Sequence, residues 1–185
     1  MCILNDKKYL KNQNYRPHLI HLTKNRNTYI HDITLKNSAQ FHLKMDECYD
    51  AVIHSLRILV NTTAQFNLLK KFSVEGVIPL FPLNTDGIDP SGARMHIYNI
   101  TVQNFDDVVV PKPSHKGYME GDCTQDMLVE NATVVLGVGM SVGSVPPNNG
   151  RNCIRNIIFK NVQMSRPIKG IYVKTNPGDA GTGLV

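Results

Sequence analysis

The chain has 185 residues, of which 42% are hydrophobic and 19% are charged, so it is long enough for one packed domain and is not a disordered segment. Its net charge is +5, but no basic stretch interleaved with aromatic residues is present, which argues against a nucleic-acid partner. No apolar run is long enough to cross a bilayer, and we expect no membrane partner.

The cysteines and histidines do not form a metal-binding pattern. Cys2, Cys48, Cys123 and Cys153 lack metal-ligand spacing, and the seven histidines form no zinc motif. The sequence therefore predicts no metal and no cofactor. If all four cysteines paired, three connectivities would be possible, and spacing does not choose among them.

The first segment, residues 1–15, is polar and rich in lysine, and we expect it to be irregular. It lacks the apolar stretch of a signal peptide. Three triplets that accept N-linked glycans begin at Asn61, Asn99 and Asn131, a pattern typical of secreted proteins. The protein is therefore either intracellular or a secreted glycoprotein whose original start is missing from this chain, and we favour the second interpretation.

An eight-residue pattern returns three times along the chain. The segments IHDITLKN (30–37), IYNITVQN (97–104) and IRNIIFKN (154–161) each have apolar residues at places one, four and six and end in asparagine. Each predicts a short strand closed by an asparagine turn, because asparagine tolerates the left-handed conformation. Weaker copies lie at 55–61 and 127–131.

Short strands separated by Gly, Asn and Pro, without an amphipathic helix, predict an all-β fold of the β-solenoid type. An antiparallel β-sandwich is the alternative, disfavoured because the pattern repeats in sequence as well as in composition. Residues 62–83 break the rhythm and are interpreted as an insertion, either a cleft wall or a surface loop. Turns are predicted at 111–113 and 146–150.

The C-terminal part continues the pattern with a strand at 171–175 and the start of another at 181–185. A solenoid requires a terminal cap over its open core, and none is visible in the sequence. We therefore expect a truncated solenoid, which is weakly active or inactive by itself. A product that does not fold stably remains an alternative.

Three acids are candidates for a catalytic site. Asp86 and Asp106 are 20 residues apart, about one coil of a solenoid, and Asp107 follows directly. Since stacked strands lie about 4.8 Å apart, these carboxylates would gather into one patch. Asp-Gly and Asp-Asp pairs are also ordinary turn chemistry. Their spacing favours a site for acid and base hydrolysis of a glycosidic bond.

The strings that contain these acids resemble a known family. NTDGID (84–89) and NFDD (104–107), with Lys112 shortly after, resemble the signature strings of the polygalacturonases, glycoside hydrolase family 28. Four further segments resemble family segments in the same order: 16–20, 33–38, 139–144 and 173–175. The resemblance implies a right-handed single-stranded parallel β-helix over 16–185, with an insertion at 62–83.

The resemblance also implies an activity, namely inverting hydrolysis of α-glycosidic bonds in pectin, an acidic polysaccharide. Matched by motif, Asp106 would be the general acid, and Asp86 and Asp107 would activate the attacking water. Lys174 would pair with a substrate carboxylate, and Lys112 would line the cleft. We expect a monomer that acts on polygalacturonate or rhamnogalacturonan.

Two positions depart from the family pattern. Val138 stands where the family has the histidine of a Gly-His-Gly string, and Tyr172 stands where it has the arginine of Arg-Ile-Lys. The three carboxylates remain, so hydrolysis is expected. Tyr172 is either a packed or surface aromatic residue or one that stacks on a sugar face, and stacking would suit an exo-acting or rhamnogalacturonan-type enzyme. The alternative is a catalytically impaired carbohydrate-binding relative.

Overall fold

The computed structural model describes residues 16–64, 67, 83–113, 123–145 and 152–176. Within these ranges the chain forms ten β-strands, and the only helical residues are 62–64 and 67. The strands are β1 (Ile20–Thr23), β2 (Tyr29–His31), β3 (Thr34–Lys36), β4 (Leu43–His54), β5 (Arg57–Leu59), β6 (Ile88–Gln103), β7 (Thr124–Leu136), β8 (Met140–Val145), β9 (Ile154–Met164) and β10 (Ile171–Thr175). The all-β prediction is confirmed for these residues.

None of the helical segments in the described residues has the length and apolar character that crossing a membrane requires.

Pairing among the described strands is parallel throughout. In the larger sheet β4 lies between β1 and β6, β6 pairs with β7, and β7 pairs with β9, while β8 and β10 form a separate pair. Successive coils therefore stack strand upon strand. The antiparallel sandwich is excluded, and the fold is a parallel β-helix.

The core consists of columns of apolar side chains that point into the coil. One column runs through five coils: Ile30, Ile53, Ile97, Val129 and Phe159. Its middle members are fully buried, and the outer two pack against them. Burying one such side chain stabilises the fold by roughly 1.5–3 kcal/mol, so stacking of coils replaces a globular core.

The corners of the coils lie at residues with positive φ, spaced five residues apart. Five coils share this arrangement, through the pairs Asn27 and Asp32, Asp50 and Ser55, Arg94 and Asn99, Asp126 and Asn131, and Asn156 and Asn161. Asparagine and aspartate are favoured there because their short side chains tolerate the left-handed conformation. Two corner columns thus run along the helix.

The corner spacing explains the repeated octads and corrects their alignment. The first two octads are in register, because Ile30 and Ile97 occupy one column. The third octad is shifted, because Phe159, and not Ile154, continues that column. The shift of five residues equals the distance between corners, so one template recurs within a coil.

Several predictions fall on residues that the structure does not describe. These are the segment 1–15, most of the insertion at 62–83, the turn at 146–150 and the strand at 181–185.

At the entrance to the insertion, the side-chain oxygen of Asn61 accepts a hydrogen bond from the backbone N–H of Ala64, at 3.0 Å. Asn61 therefore caps the first helical turn.

One disulfide joins two neighbouring coils. Cys123 and Cys153, directly before β7 and β9, are bonded, and Cys48 is a buried free thiol. The bond closes a loop with a sequence separation of 30 residues, which constrains the unfolded chain.

Candidate active site

The two acid-bearing strings meet on neighbouring coils. The backbone N–H of Gly87 donates to the carbonyl of Asp107 at 2.9 Å, and Ile88 is bridged to Val109. The coil at this point therefore spans 21 residues, and Asp86 stacks on Asp107. One carboxylate oxygen from each of Asp86, Asp106 and Asp107 lies within 4.8 Å of the others, so the structure brings the three acids together.

Buried polar side chains lock the strings to each other. The amide of Asn104 donates to the carbonyls of Thr85, at 2.9 Å, and Asp107, at 2.8 Å. The hydroxyl of Thr85 accepts from the backbone N–H of Phe105 at 3.0 Å. Asn104 and Thr85 are fully buried, so water does not compete for these bonds. Sequence reasoning missed this clamp, although both residues belong to the quoted strings.

Asp106 is the member of the trio that reaches the surface. Its carboxylate accepts hydrogen bonds from the backbone N–H groups of Asn84, at 2.6 Å, and Asp107, at 2.9 Å. Its carbonyl accepts from the N–H of Val138 at 2.9 Å. Asp106 is thus fixed in orientation, and Val138 is its neighbour on the following coil.

Asp107 is 0% exposed, and both of its carboxylate oxygens have donors. The hydroxyl of Tyr172 donates to Oδ1 and the ammonium of Lys174 donates to Oδ2. Burial and the bond to Asp107 raise the pKa of Tyr172, so it donates as a neutral phenol. The ammonium of Lys169 lies 4.5 Å from the centre of the tyrosine ring and covers it on that side.

Asp86 is 3% exposed, and its Oδ1 has no hydrogen-bond partner among the described residues. Burial raises the pKa of Asp86 well above its usual range, and the negative charges of Asp89 and Asp106 raise it further. The positive charge of Lys112 opposes this shift. Asp86 therefore holds its proton more tightly than an exposed aspartate does.

Asp89 is a fourth acid of the site, missed by sequence reasoning. It is 2% exposed, and the ammonium of Lys112 lies 3.3 Å from its Oδ2. Burial raises the pKa of Asp89 to about 7, although Lys112 lowers it. The pKa of Lys112 is also raised, because Asp89 and Asp86 outweigh the effect of its own burial. The sequence signal for Asp89 is its place next to Ile88. Because Ile88 packs into the core of the coil, the neighbouring Asp89 lies on the opposite face of the strand.

The oxygens of Asp86, Asp106 and Asp107 are of the kind that a hard cation accepts. Positive charge is already supplied there by the ammonium groups of Lys174 and Lys112. An acidic cluster by itself does not establish a cation site, and we assign it no metal.

Comparisons with known proteins find a matching family model and relatives that cover most of the chain. The family model "Glycosyl hydrolases family 28" matches residues 4–184. A polygalacturonase from Persea americana is 23% identical over 158 residues, which are 85% of this chain and 28% of the relative. A probable rhamnogalacturonase E from Aspergillus niger is 25% identical over 162 residues, 88% of this chain and 29% of the relative.

A solved structure is similar as well. The polygalacturonase from Erwinia carotovora ssp. carotovora matches with a TM-score of 0.67 and 25% identity, over 86% of this chain and 36% of that chain. The similarity confirms the predicted right-handed parallel β-helix. The chain spans less than a third of the two curated relatives named above, 28% and 29%.

Proposed function

The chain belongs to the glycosyl hydrolases of family 28, and on that premise we propose that its acid cluster hydrolyses α-glycosidic bonds in pectin by an inverting single displacement. The observation that carries the proposal is the convergence of Asp86, Asp106 and Asp107, with one oxygen of each within 4.8 Å of the others. Polygalacturonate and rhamnogalacturonan are the proposed substrates, in agreement with the names of the relatives.

Asp106 serves as the general acid in this proposal. It is the partly exposed carboxyl, so it meets the glycosidic oxygen first and gives its proton to the leaving group as the bond breaks. Asp86 and Asp107 lie deeper and accept the proton of the water that attacks the anomeric carbon. Burial raises the pKa of Asp86, so Asp86 acts as a base only at a pH high enough to ionise it. Like charges crowded in a dry site do not all ionise together, so an ionised Asp86 favours a protonated neighbour.

The separation of the carboxylates bears on whether hydrolysis inverts or retains the configuration at the anomeric carbon, so the configuration of the product has to be measured. The nearest oxygens lie within 4.8 Å. The acid and base of an inverting glycosidase are usually roughly 6.5–9.5 Å apart, and the two carboxyls of a retaining one about 5–5.5 Å. Inversion of an α-linked substrate gives a β product, and retention gives an α product.

Three side chains beside the acids are assigned to the substrate. The ammonium of Lys174 is partly exposed and exchanges Asp107 for a substrate carboxylate when the sugar enters. Lys112, also partly exposed, adds positive charge at the same place. The ring face of Tyr172 turned away from Lys169 stacks on a sugar, which suits exo-action or a rhamnogalacturonan backbone.

We further propose that the protein is secreted and acts as a monomer on the cell wall. A disulfide between Cys123 and Cys153 suits an oxidising compartment. The side chains of Asn61, Asn99 and Asn131 are exposed, as glycan attachment requires.

A carbohydrate-binding relative without catalysis is the second candidate. Val138 beside Asp106 offers no group that moves a proton, and both oxygens of Asp107 are occupied by donors. Such a site would bind an acidic sugar through Lys174 and leave its bonds intact.

Reducing-sugar release from polygalacturonate and rhamnogalacturonan tests the two candidates. We expect slow release by the 185-residue chain, a loss of about 100-fold or more in Asp106→Asn, and no change in Asp126→Asn, an exposed acid at a corner of the coil. Proton NMR of the first product identifies its anomer. Equal release by Asp106→Asn removes Asp106 from the acid role, whereas saturable binding without release supports the second candidate.

A further inference from the structure

An ion pair between partly exposed Lys112 and buried Asp89 lies beside the acid trio, and the proposed mechanism gives Asp89 no role. The ammonium of Lys112 lies 3.3 Å from Oδ2 of Asp89, and Oδ1 of Asp89 has no hydrogen-bond partner among the described residues. Asp89 is 2% exposed. An acid buried with an unpartnered oxygen is unfavourable for folding. A packing role alone would be served better by an apolar residue.

We propose that Asp89 and Lys112 are positioning residues that set the charge of Asp86: the carboxylate of Asp89 favours protonated Asp86, and the ammonium of Lys112 favours ionised Asp86. The inference rests on the proposed function, in which Asp86 accepts the proton of the attacking water. According to this inference, Asp89 and Lys112 determine the pH at which Asp86 ionises and can accept that proton.

Asp89 and Lys112 lie on the two neighbouring coils that carry Asp86 and its stacking partner Asp107. Asp89 follows it by three residues on the same segment. Lys112 belongs to the following coil, where its backbone N–H donates to the carbonyl of Pro90 at 2.9 Å. The hydroxyl of Thr124 donates to the carbonyl of Lys112 at 2.6 Å and fixes it from a further coil. The ammonium of Lys112 is therefore held near the two acids.

Exclusion of water makes this control effective. Asp86 and Asp89 are both almost fully buried, and charges interact more strongly there than in water. The direction of the shifts agrees, since Asp89 raises and Lys112 lowers the pKa of Asp86.

The other groups around Asp86 come from three coils. Asp106 and Asp107 face it from the next coil, and both raise its pKa. His42, on the preceding coil, has its Nδ1 3.0 Å from the carbonyl of Asp86. Lys174 and Tyr172, on β10, bond to Asp107. Lys112 is the cation that lowers the pKa of Asp86, whereas the ammonium of Lys174 is bonded to Asp107.

Substitutions of Asp89 and of Lys112 are expected to shift the ionisation of Asp86 in opposite directions. Asp89→Asn keeps the shape, removes the repulsive charge and leaves Lys112 to act on Asp86, so Asp86 ionises at lower pH. Lys112→Met keeps the length, removes the attraction and makes Asp86 ionise at higher pH. The double variant returns toward the original value, because the two effects oppose each other.

Carboxyl carbon-13 NMR titration of the 185-residue chain tests this without requiring turnover. We expect the titration midpoint of Asp86 to fall by about one pH unit in Asp89→Asn and to rise by about one unit in Lys112→Met. Asp126→Asn, the exposed control, leaves it unchanged. An unmoved midpoint in folded Asp89→Asn overturns the proposal. If Asp89→Asn does not fold, an unmoved midpoint in Lys112→Met overturns it equally.

The same variants separate this inference from the proposed function. In an active chain, the acidic limb of kcat/KM moves in parallel with the midpoint of Asp86. A shifted midpoint of Asp86 in a chain that releases no sugar contradicts the proposed function but supports the inference about Asp89 and Lys112. Sugar release together with an unshifted midpoint contradicts only the inference about Asp89 and Lys112.

Discussion

The hydroxyl of Tyr172 donates a hydrogen bond to Oδ1 of Asp107, which connects β10 to a carboxylate two coils earlier. The tyrosine stands where the family pattern has an arginine. A phenol supplies a donor without a charge, so neutralisation of Asp107 is left to Lys174. Tyr172 therefore belongs to the hydrogen-bond network of the acids, in addition to its proposed contact with sugar.

Substitution of Tyr172 separates these two roles. Tyr172→Phe removes the hydroxyl and keeps the ring, so we expect kcat to fall by about tenfold or more with KM unchanged, the cost of a hydrogen bond to a charged group. Tyr172→Ala also removes the ring and should raise KM. Steady-state kinetics on oligogalacturonides measure both constants. If kcat is unchanged in Tyr172→Phe, the hydrogen bond has no catalytic role.

Lys174 compensates a charge that is otherwise buried. Lys174→Met leaves Asp107, 0% exposed, without its ammonium partner. We expect the free energy of unfolding to fall by about 2–3 kcal/mol, less than for a fully buried pair because the lysine is partly exposed. Urea unfolding followed by circular dichroism measures the change.

Lys160→Met provides the matched control for Lys174→Met. Its ion pair with Glu130 is solvent-exposed at the lysine end, and the ammonium lies 3.3 Å from the carboxylate. Loss of such a pair costs about 0–1 kcal/mol. Equal losses in the two variants would mean that the contact between Lys174 and Asp107 has no special weight.

Gly87 allows the two acid-bearing coils to approach each other. A Cβ at this position would lie 2.3 Å from the carbonyl oxygen of Val108, which is backbone and cannot rotate away. We expect Gly87→Ala to destabilise the fold by about 2–4 kcal/mol and to separate Asp86 from Asp107. Gly170→Ala, with nothing within 4 Å of its added Cβ, should stay within about 0.5 kcal/mol of the original. Comparable midpoints of thermal unfolding for the two variants would contradict this account.

The coils were predictable from sequence because their signals are local. Alternating apolar residues and asparagine corners specify inward faces and left-handed turns, whatever follows elsewhere in the chain. The registration of coils was less accessible. The repeated octad aligns Ile154 with Ile97, because corners recur every five residues, and only strand pairing shows that Phe159 is the equivalent residue.

The site likewise contains residues that local sequence predicts and contacts that depend on how the coils stack. Asp86, Asp106 and Asp107 were found because one-coil spacing predicts their convergence. The contacts of Asp89 with Lys112 and of Tyr172 with Asp107 were not found, because they join side chains from different coils. Their meeting depends on coil lengths, which vary from 21 residues between Ile88 and Val109 to 45 between Leu43 and Ile88. Local pattern does not encode such distances.

The buried acids also predict how stability depends on pH. The pKa values of Asp86 and Asp89 are raised by burial, to about 7 for Asp89, so the folded state binds their protons more tightly than the unfolded state does. Their contribution is complete below the unfolded pKa of 3.8 and is lost as pH rises through the folded value. Burial acts oppositely on His18, whose pKa falls to about 4, and lowers that of His42. The histidines therefore add stability as pH rises.

The difference between the original chain and Asp89→Asn isolates one of these opposing effects, because the histidines are common to both. We expect Asp89→Asn to gain stability relative to the original chain as pH rises from about 4 to about 8, by several kcal/mol, since about 1.4 kcal/mol corresponds to each tenfold change in proton affinity. Urea unfolding at a series of pH values measures this difference, and Asp126→Asn should show none of it. Parallel stability curves for Asp89→Asn and the original chain would mean that Asp89 ionises as freely in the folded protein as in the unfolded one.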